Sequence, residues 1–283
     1  MITKLIVFLI FTSFVELLSQ TYIYEYSFGN FKDAAAFHVN PAGVIYAADR
    51  GTNEIYKLDT LGNVLKETGG YGWDRGAFDE PVDIFATTLN IYVADKNNHR
   101  IQRFDKDLNF ISQLYTRNAD NPDLKFGYPL ACATSNMGDL FILDSENTRI
   151  LKFDLFGNFN STFGSIDAGS FVLSHPLKMR ISQDNNIYVL DDGKIIVFDQ
   201  YGNGLQIIDA EKKLKNINIV HNILTTNTDD EIFILNLNVP SAQFNAVSLI
   251  GYDLNKSLIN SLLYKGKLYV LTQNEISVFS YHP

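Results

Sequence analysis

The sequence predicts an all-β protein, a six-bladed β-propeller built of four-stranded antiparallel blades, and three observations support this prediction. Short runs of alternating aromatic and aliphatic residues recur along the chain, Gly-Asn turn signals follow several of them, and no segment after residue 19 shows helical periodicity. A repeat of about 44 residues that contains several short strands is typical of propeller blades. Of the 283 residues, 46% are hydrophobic and 19% are charged, as in a globular protein.

The N-terminal segment has the pattern of a signal peptide. Residues 1–19 combine Lys4 with an apolar run at 5–15 and a small residue, Ser19, at the expected cleavage point. We expect export to the periplasm or the extracellular space, with no membrane span in the mature protein, because the apolar run is shorter than the ~20 residues a span needs. The single cysteine, Cys132, excludes a disulfide framework.

The remaining residues, 20–283, are predicted to form one domain of six repeated units. The first motif of each unit is an aromatic-aliphatic run, in the first four copies ending in Asp, and we assign it to the second strand. It occurs at 46–49, 92–95, 141–144, 188–191, 233–236 and 269–272. The second motif, assigned to the third strand, occurs at 56–59, 102–105, 151–154, 196–199, 250–253 and 277–280.

The two ends of the chain predict how the ring closes. The sixth unit ends after its third strand, and the segment 21–28 is a strand without partners of its own. We expect this N-terminal strand to complete blade six, which removes an open edge. Blade five is expected to be truncated, with no outer strand or only a stub at 256–259, and to carry a loop insertion at 240–244.

The residues between the second and third strands carry a family resemblance. The segment 95–105, DKNNHRIQRFD, resembles the core of the NHL repeat, with weaker copies at 144–150 and 49–55. The Gly-rich run at 69–81 is similar to the segment that leads into the next repeat of that family. The resemblance covers about 33–200 and implies a six-bladed propeller that acts as a binding platform; it implies no particular chemistry.

Candidate ligand-binding residues cluster in loops expected at one end of the propeller. The first group lies in the Gly-rich loop that enters the second unit, and the second lies in the bend within that unit. Phe244 of the blade-five insertion is expected to reach the same face. The predicted ligand-binding residues are Tyr71, Trp73, Asp74, Arg75, His99, Arg100 and Phe244. Aromatic and Arg side chains dominate binding hot spots. The alternative is structural: Trp73 closes its loop, and Arg100 and Arg149 pair with carboxylates of the bends.

The composition and the histidine positions argue against several functions. The formal charge of -9 disfavours nucleic-acid binding, which needs clustered Lys and Arg. The five histidines occupy no common depth in the repeats, so we predict no metal site, no cofactor and no catalytic residues. Asp83, Lys178 and Arg180 lie on predicted inner strands and are expected to line or approach the channel.

The sequence therefore predicts an exported, non-catalytic binding or scaffold module. Its expected partner is a protein or a glycan that docks on one propeller face, and the chain is expected to be a monomer. The alternative is a metal-dependent lyase or hydrolase of the propeller type, with its site at the channel mouth.

Overall fold

The computed structural model describes residues 20–240, 242–252 and 256–283, and the predicted signal peptide at 1–19 lies outside them. The strands of the first half of the chain are β1 (Gln20–Phe28), β2 (Ala34–Val39), β3 (Ile45–Asp49), β4 (Glu54–Leu58), β5 (Val64–Gly69), β6 (Pro81–Ala86), β7 (Asn90–Asp95), β8 (Arg100–Asp105), β9 (Phe110–Tyr115), β10 (Pro129–Thr134), β11 (Leu140–Asp144) and β12 (Arg149–Phe153).

The second half continues the same all-β pattern. Its strands are β13 (Phe159–Phe163), β14 (Pro176–Ile181), β15 (Ile187–Asp191), β16 (Lys194–Phe198), β17 (Gly204–Asp209), β18 (Asn216–Val220), β19 (Ile223–Asn227), β20 (Ile232–Asn236), β21 (Asn245–Ile250), β22 (Asn260–Tyr264), β23 (Lys267–Leu271) and β24 (Ile276–His282). The described helices are two short 3-10 turns, Pro122–Leu124 and Ile166–Phe171, and neither has the length to cross a membrane.

The strands form four separate blades and one larger sheet. Each blade has four antiparallel strands in chain order: β2 to β5, β6 to β9, β10 to β13 and β14 to β17. The other eight strands form a single sheet in the order β18-β19-β20-β21-β1-β24-β23-β22. The prediction of a six-bladed propeller of four-stranded blades is therefore wrong, because the described strands form four such blades and one eight-stranded sheet.

Strand β1 explains the larger sheet. It pairs antiparallel with β24 from Thr21 to Phe28, and on its other edge it pairs in parallel with β21 through Gln20–Ile23. Backbone N–H and C=O groups on an unpaired edge are costly when buried, and β1 satisfies both neighbouring edges at once. Strand β1 thus joins the fifth and sixth repeated units into one sheet.

The fifth repeat also differs from its predicted arrangement. It contains four strands, β18 to β21, and no strand lies in the described residues 256–259. The run at 233–236 lies in the third strand, β20, because β19 precedes it. Strand β19 buries Thr225 and Thr226 in place of apolar residues, and their hydroxyls donate to the carbonyls of Ser261 and Asn216 at 2.6 Å. The apolar motif that marks the second strand elsewhere is therefore absent here.

The core lies between the sheets and around a central axis. The first strand of each unit contacts the first strand of the next, in the cyclic order β2, β6, β10, β14, β18, β22 and back to β2. Buried aliphatic and aromatic side chains fill the space between adjacent sheets, as with Phe141, Phe163 and Phe198 between neighbouring blades. The connections into the first strands lie at one end of the axis, and the turns that leave them lie at the other.

Candidate functional site

The most exposed aromatic residues among the predicted set lie on the connection between β5 and β6. This segment, residues 70–77, is called the Trp73 loop. Tyr71 is 77% exposed and Trp73 is 49% exposed, although both are large and partly apolar. Tyr71 forms an isolated bridge with the fully buried Phe78, which anchors the start of the loop to the blade. Asp74 and Arg75 are also exposed.

Arg100 fixes the backbone of the Trp73 loop by hydrogen bonds from its buried side chain. It lies at the start of β8, is fully buried, and forms an ion pair with Asp95 at 2.7 Å. Its guanidinium donates hydrogen bonds to the carbonyls of Trp73 (2.7 Å), Asp74 (3.1 Å) and Ala77 (2.8 Å). The planar fork of Arg suits several acceptors at once. Arg100 is thus a buried structural residue, as the scaffold interpretation of the sequence expects.

Asp95 is the centre of this buried network. Its carboxylate accepts from the backbone N–H of Asp79, from the Asn98 amide and from Arg100. Burial raises the pKa of Asp95, and these hydrogen bonds and the Arg100 charge oppose the rise. The Asn98 amide also donates to the Gly72 carbonyl at 2.9 Å, so the bend within the second unit is fastened to the Trp73 loop.

The same Asp recurs in the other blades and explains the repeated motif. The side chains at the ends of β3, β11 and β15 each accept backbone N–H groups from the connection that enters their own blade; they are Asp49, Asp144 and Asp191. Arg149 pairs with Asp144 at 3.3 Å, which confirms the predicted Arg–carboxylate pairing in the bends. In each of these blades, a buried carboxylate therefore holds the connection that enters the first strand.

The Trp73 ring is half-buried against fixed neighbours. The Arg100 guanidinium lies 5.0 Å from the Trp73 ring centroid, and the Tyr115 ring meets it edge-on at 5.3 Å. Arg75 extends over the Phe110 ring at 5.9 Å. Trp73 therefore both closes its loop and leaves about half of its surface open to solvent.

His99 points to the next blade rather than to the Trp73 loop. Its Nδ1 accepts a hydrogen bond from the Tyr128 backbone N–H at 3.1 Å, and its ring contacts the Tyr128 ring with centroids 4.2 Å apart. Burial lowers the pKa of His99, and the charge of Arg117 lowers it further. These contacts make His99 a link between the second and third blades.

Phe244 lies away from the other predicted residues. It follows β20, the third strand of its unit, and packs on Phe233 with ring centroids 6.5 Å apart. The backbone N–H of Leu237, where this connection begins, donates to Asn222 in the turn after β18. The connection is therefore at the opposite end of the axis from the Trp73 loop. The expectation that Phe244 shares the face of Trp73 is wrong, because it assumed that 233–236 is a second strand.

The end that carries the Trp73 loop has two depressions. One has a volume of about 350 Å³ and is lined by Tyr71, Asn97 and several charged residues, including Asp33 and Arg50. The other, of about 690 Å³, shares Asp33 and Arg50 and extends to the segment 272–275. Asp33 and Arg50 form an ion pair at 2.6 Å between the two. Within the described part of the chain, no group of three His, Cys, Asp or Glu side chains could hold a metal ion.

The charged residues predicted near the channel do meet there. Asp83 on β6 pairs with Arg180 and Lys178 on β14, each at 2.9 Å, and all three side chains are buried. Arg180 also donates to Asn218 on β18 at 3.3 Å. This polar cluster crosses the axis and ties together strands of non-adjacent units.

These features define the chain as a β-propeller, and comparison with solved structures agrees. It superposes on a streptogramin B lyase with a TM-score of 0.61 at 17% identity, covering 88% of this chain and 79% of that one. With virginiamycin B lyase from Staphylococcus aureus the TM-score is 0.60 at 15% identity, covering 87% of this chain and 80% of that one. With the extracellular domain of a one-component system from B. thetaiotaomicron the TM-score is 0.58 at 13% identity, covering 88% of this chain and 35% of that one. At these identities the likeness concerns the fold alone.

Sequence comparison adds matches that cover parts of the chain. The NHL repeat profile matches residues 78–104, the segment that contains Asp95 and Arg100. The chain is 32% identical over 152 residues to Protein brain tumor of Drosophila melanogaster and 31% identical over 151 residues to B-box type zinc finger protein ncl-1 of Caenorhabditis elegans. Each match covers 52% of this chain but only 14% and 17% of those proteins. These partial matches support a relationship to the NHL-repeat propellers.

Proposed function

We propose that this chain is an exported, non-catalytic propeller module that binds a protein partner through the surface around Tyr71 and Trp73. One observation carries the proposal: two exposed aromatic side chains lie on a loop whose backbone is fixed by a fully buried arginine. A binding surface that is already ordered loses little conformational entropy when a partner docks. Exposed Trp and Tyr in such a position are the side chains that most often dominate protein interfaces.

The surroundings favour a partner that presents basic side chains. The depression beside Tyr71 is lined by Asp33, Asp79 and Glu80, of which Asp33 pairs with Arg50 and Glu80 with Lys96. Asp79 is thus left as an excess negative charge, and the whole chain has a formal charge of -9. Complementary charge increases association rates and selects between partners. The depression beside Tyr71 is wide open to solvent, a shape that suits a protein surface better than a small molecule.

Site-specific photo-crosslinking tests the proposed surface. A benzophenone amino acid is placed at position 71 and, as a matched control, at Phe156, which is 85% exposed in another blade. In extracts of the source organism we expect one protein to crosslink at position 71 and not at position 156. The purified partner is then expected to bind at least about tenfold more weakly to Trp73→Ala. Equal labelling at both positions, or a glycan product without peptide, contradicts the proposal.

Export and a monomeric state belong to the same proposal and have separate tests. Export is supported by the pattern at 1–19, and the full-length chain expressed in its source organism is expected to have Gln20 at its mature N-terminus. A cell-associated chain that retains Met1 would contradict export. Light scattering that gives twice the mass of the mature chain would contradict the monomer.

A further inference from the structure

A second cavity lies on the axis at the end opposite to the Trp73 loop. Its volume is about 410 Å³, within the range of small-molecule sites. It is formed where the first strands end and turn toward the second strands, so that the segments 38–41, 85–88, 134–136, 181–183 and 219–221 all contribute. Strand β6 separates it from the Trp73 loop, since that loop enters β6 and the cavity segment 85–88 leaves it.

The described lining of this cavity combines apolar and polar side chains but carries no Asp, Glu, Lys or Arg, although 19% of the chain is charged. Its polar groups are mainly hydroxyls and carboxamides, among them Thr88, Thr134 and Gln183. The side chains of Thr87 and Asn136 bond to backbone groups of the neighbouring turns. Hydroxyls both donate and accept hydrogen bonds, and a carboxamide presents one acceptor and two donors. Such a lining can pair with an uncharged ligand rich in hydroxyl or amide groups. It has nothing with which to neutralise an ionic ligand.

His38 in the wall is held in its neutral form. The pKa of His38 is lowered to about 3, mainly by burial and also by the charge of Arg180, while Asp83 opposes the shift. The Nδ1 atom accepts a hydrogen bond from the Ala86 backbone N–H at 3.4 Å. A neutral imidazole whose Nδ1 accepts carries its proton on Nε2. His38 therefore adds a neutral donor to the cavity and no charge.

Aromatic rings form another part of the wall. The exposed His221 ring stacks on the Tyr264 ring, with centroids 6.1 Å apart and an angle of 26° between the planes. The Tyr264 hydroxyl is buried and has no hydrogen-bond partner in the described part of the chain. A buried hydroxyl without a partner is unfavourable, and a ligand or water that pairs with it recovers that free energy. The open face of a ring can also receive the C–H face of a sugar.

We propose that the axial cavity binds an uncharged mono- or disaccharide. Three features support this ligand class together: a lining of apolar side chains, hydroxyls and carboxamides without ionic groups, the neutral His38, and the ring stack of His221 on Tyr264 beside an unpartnered hydroxyl. The cavity volume accommodates one or two sugar rings. The site is independent of the proposed protein-binding surface, because the two lie at opposite ends of β6.

The test measures saccharide binding to the purified chain by isothermal titration calorimetry and saturation-transfer NMR. The probes are N-acetylglucosamine, galactose and cellobiose, with glucuronate as the charged analogue. Thr88→Trp fills the cavity from an exposed position, and His221→Asn removes the ring while keeping a residue that tolerates the positive φ of 48° found there. Met137→Ala is the control, since Met137 is 75% exposed and lies outside the lining.

We expect at least one neutral saccharide to bind with a Kd of about 1 mM or tighter, and glucuronate to bind at least about tenfold more weakly. Thr88→Trp and His221→Asn are expected to weaken binding at least tenfold while circular dichroism shows them folded, and Met137→Ala is expected to bind as the parent chain does. The proposal is overturned if no neutral saccharide binds at 10 mM, if glucuronate binds equally well, or if both folded cavity variants retain full affinity. Loss of binding at the Trp73 surface affects only the proposed function.

Discussion

Asp83, Arg180 and Lys178 show how a few side chains hold the centre of this propeller. Asp83 is fully buried, and burial alone would raise its pKa, but Arg180 and Lys178 outweigh that effect and its pKa lies below the usual range. Burial lowers the pKa of Lys178 in turn, and Asp83 opposes the shift. The carboxylate also accepts from the Cys132 backbone N–H at 3.2 Å. The ion pairs thus depend on one another.

Removing the Asp83 charge is expected to destabilise the fold strongly. Asp83→Asn keeps the size of the side chain but leaves two buried cations without a counter-charge, which costs about 3–5 kcal/mol. Urea unfolding measures the loss. The matched control is Glu231→Gln, which breaks an exposed pair with Lys212 and is expected to cost less than about 1 kcal/mol. Equal effects of the two substitutions would mean that the axial cluster adds nothing beyond a surface pair.

His38 is expected to make stability depend on pH below neutrality. Its pKa is about 3 in the folded chain and about 6.5 when unfolded. The unfolded state therefore binds a proton that the folded state does not, and stability falls as pH drops below 6.5. Between pH 7 and 5 this amounts to about 2 kcal/mol. Urea unfolding at both pH values, compared between the parent chain and His38→Gln, isolates this contribution; identical pH dependence in the two would refute it.

At the scale of the element, one turn design recurs between third and fourth strands. Asp59 accepts from the backbone N–H groups of Leu61 and Asn63, and the Asn63 amide donates to the same carboxylate. The hydrogen bond from Asn63 is the main reason that the pKa of Asp59 is lowered. Gly62 takes the positive φ of 90° that the turn requires. The turns that begin at residues 105, 154 and 199 repeat these contacts.

The Trp73 loop is expected to depend on Arg100 for its order. Arg100→Lys keeps the charge but loses the fork that reaches the carbonyls of Trp73, Asp74 and Ala77. Trypsin cleavage after Arg75 is expected to become about ten times faster, because local opening exposes the backbone to the protease.

Arg149→Lys is the control for this substitution. Arg149 occupies the equivalent position one blade later and reaches two carbonyls, those of Asp123 and Lys125. Cleavage after Arg75 is expected to stay at the parental rate in that variant. An unchanged rate in Arg100→Lys as well would show that the loop is ordered by other contacts.

At the scale of the whole molecule, β1 joins the start of the chain to its end. Thr21 pairs with His282, and Tyr22 is buried among Ile232, Ile234 and Phe279. The pairing fuses the last two units into the eight-stranded sheet. Closure of the ring therefore depends on β1, which pairs with strands more than 200 residues later in the sequence.

Removal of β1 is expected to destabilise the entire propeller. A chain of residues 29–283, compared with 20–283, leaves the edges of β21 and β24 unpaired and is expected to melt at least about 10 °C lower and to aggregate. Calorimetry and light scattering measure both effects. Glu25→Gln in the longer chain is the control, since it alters only the exposed contacts of Glu25 with Lys267 and Ser280. Equal melting of the two chains would mean that β1 is peripheral.

Many of the strands, turns and loop contacts of this protein could be predicted from local sequence alone. The aromatic-aliphatic runs set the strands of the first four units, and the Gly-Asn turns set how those strands connect, because both depend on neighbours in the chain. The exposed Trp73 loop and the Arg–Asp pairs of the bends could also be predicted, since they lie within one unit. The NHL resemblance rests on the same residues.

Only the tertiary structure decided the rest, since it depends on residues distant in the sequence. The repeat pattern cannot show that β1 pairs with two strands, so the eight-stranded sheet was missed. Strand β19 buries polar side chains, so the apolar pattern of a second strand is absent there. The prediction therefore took β20 for the second strand and placed Phe244 at the wrong end of the axis. The axial cavity could not be predicted from the sequence, because each unit supplies only one to four of its residues. Hydrogen bonding between distant edges and convergence around an axis are properties of the folded ring, and no local pattern encodes them.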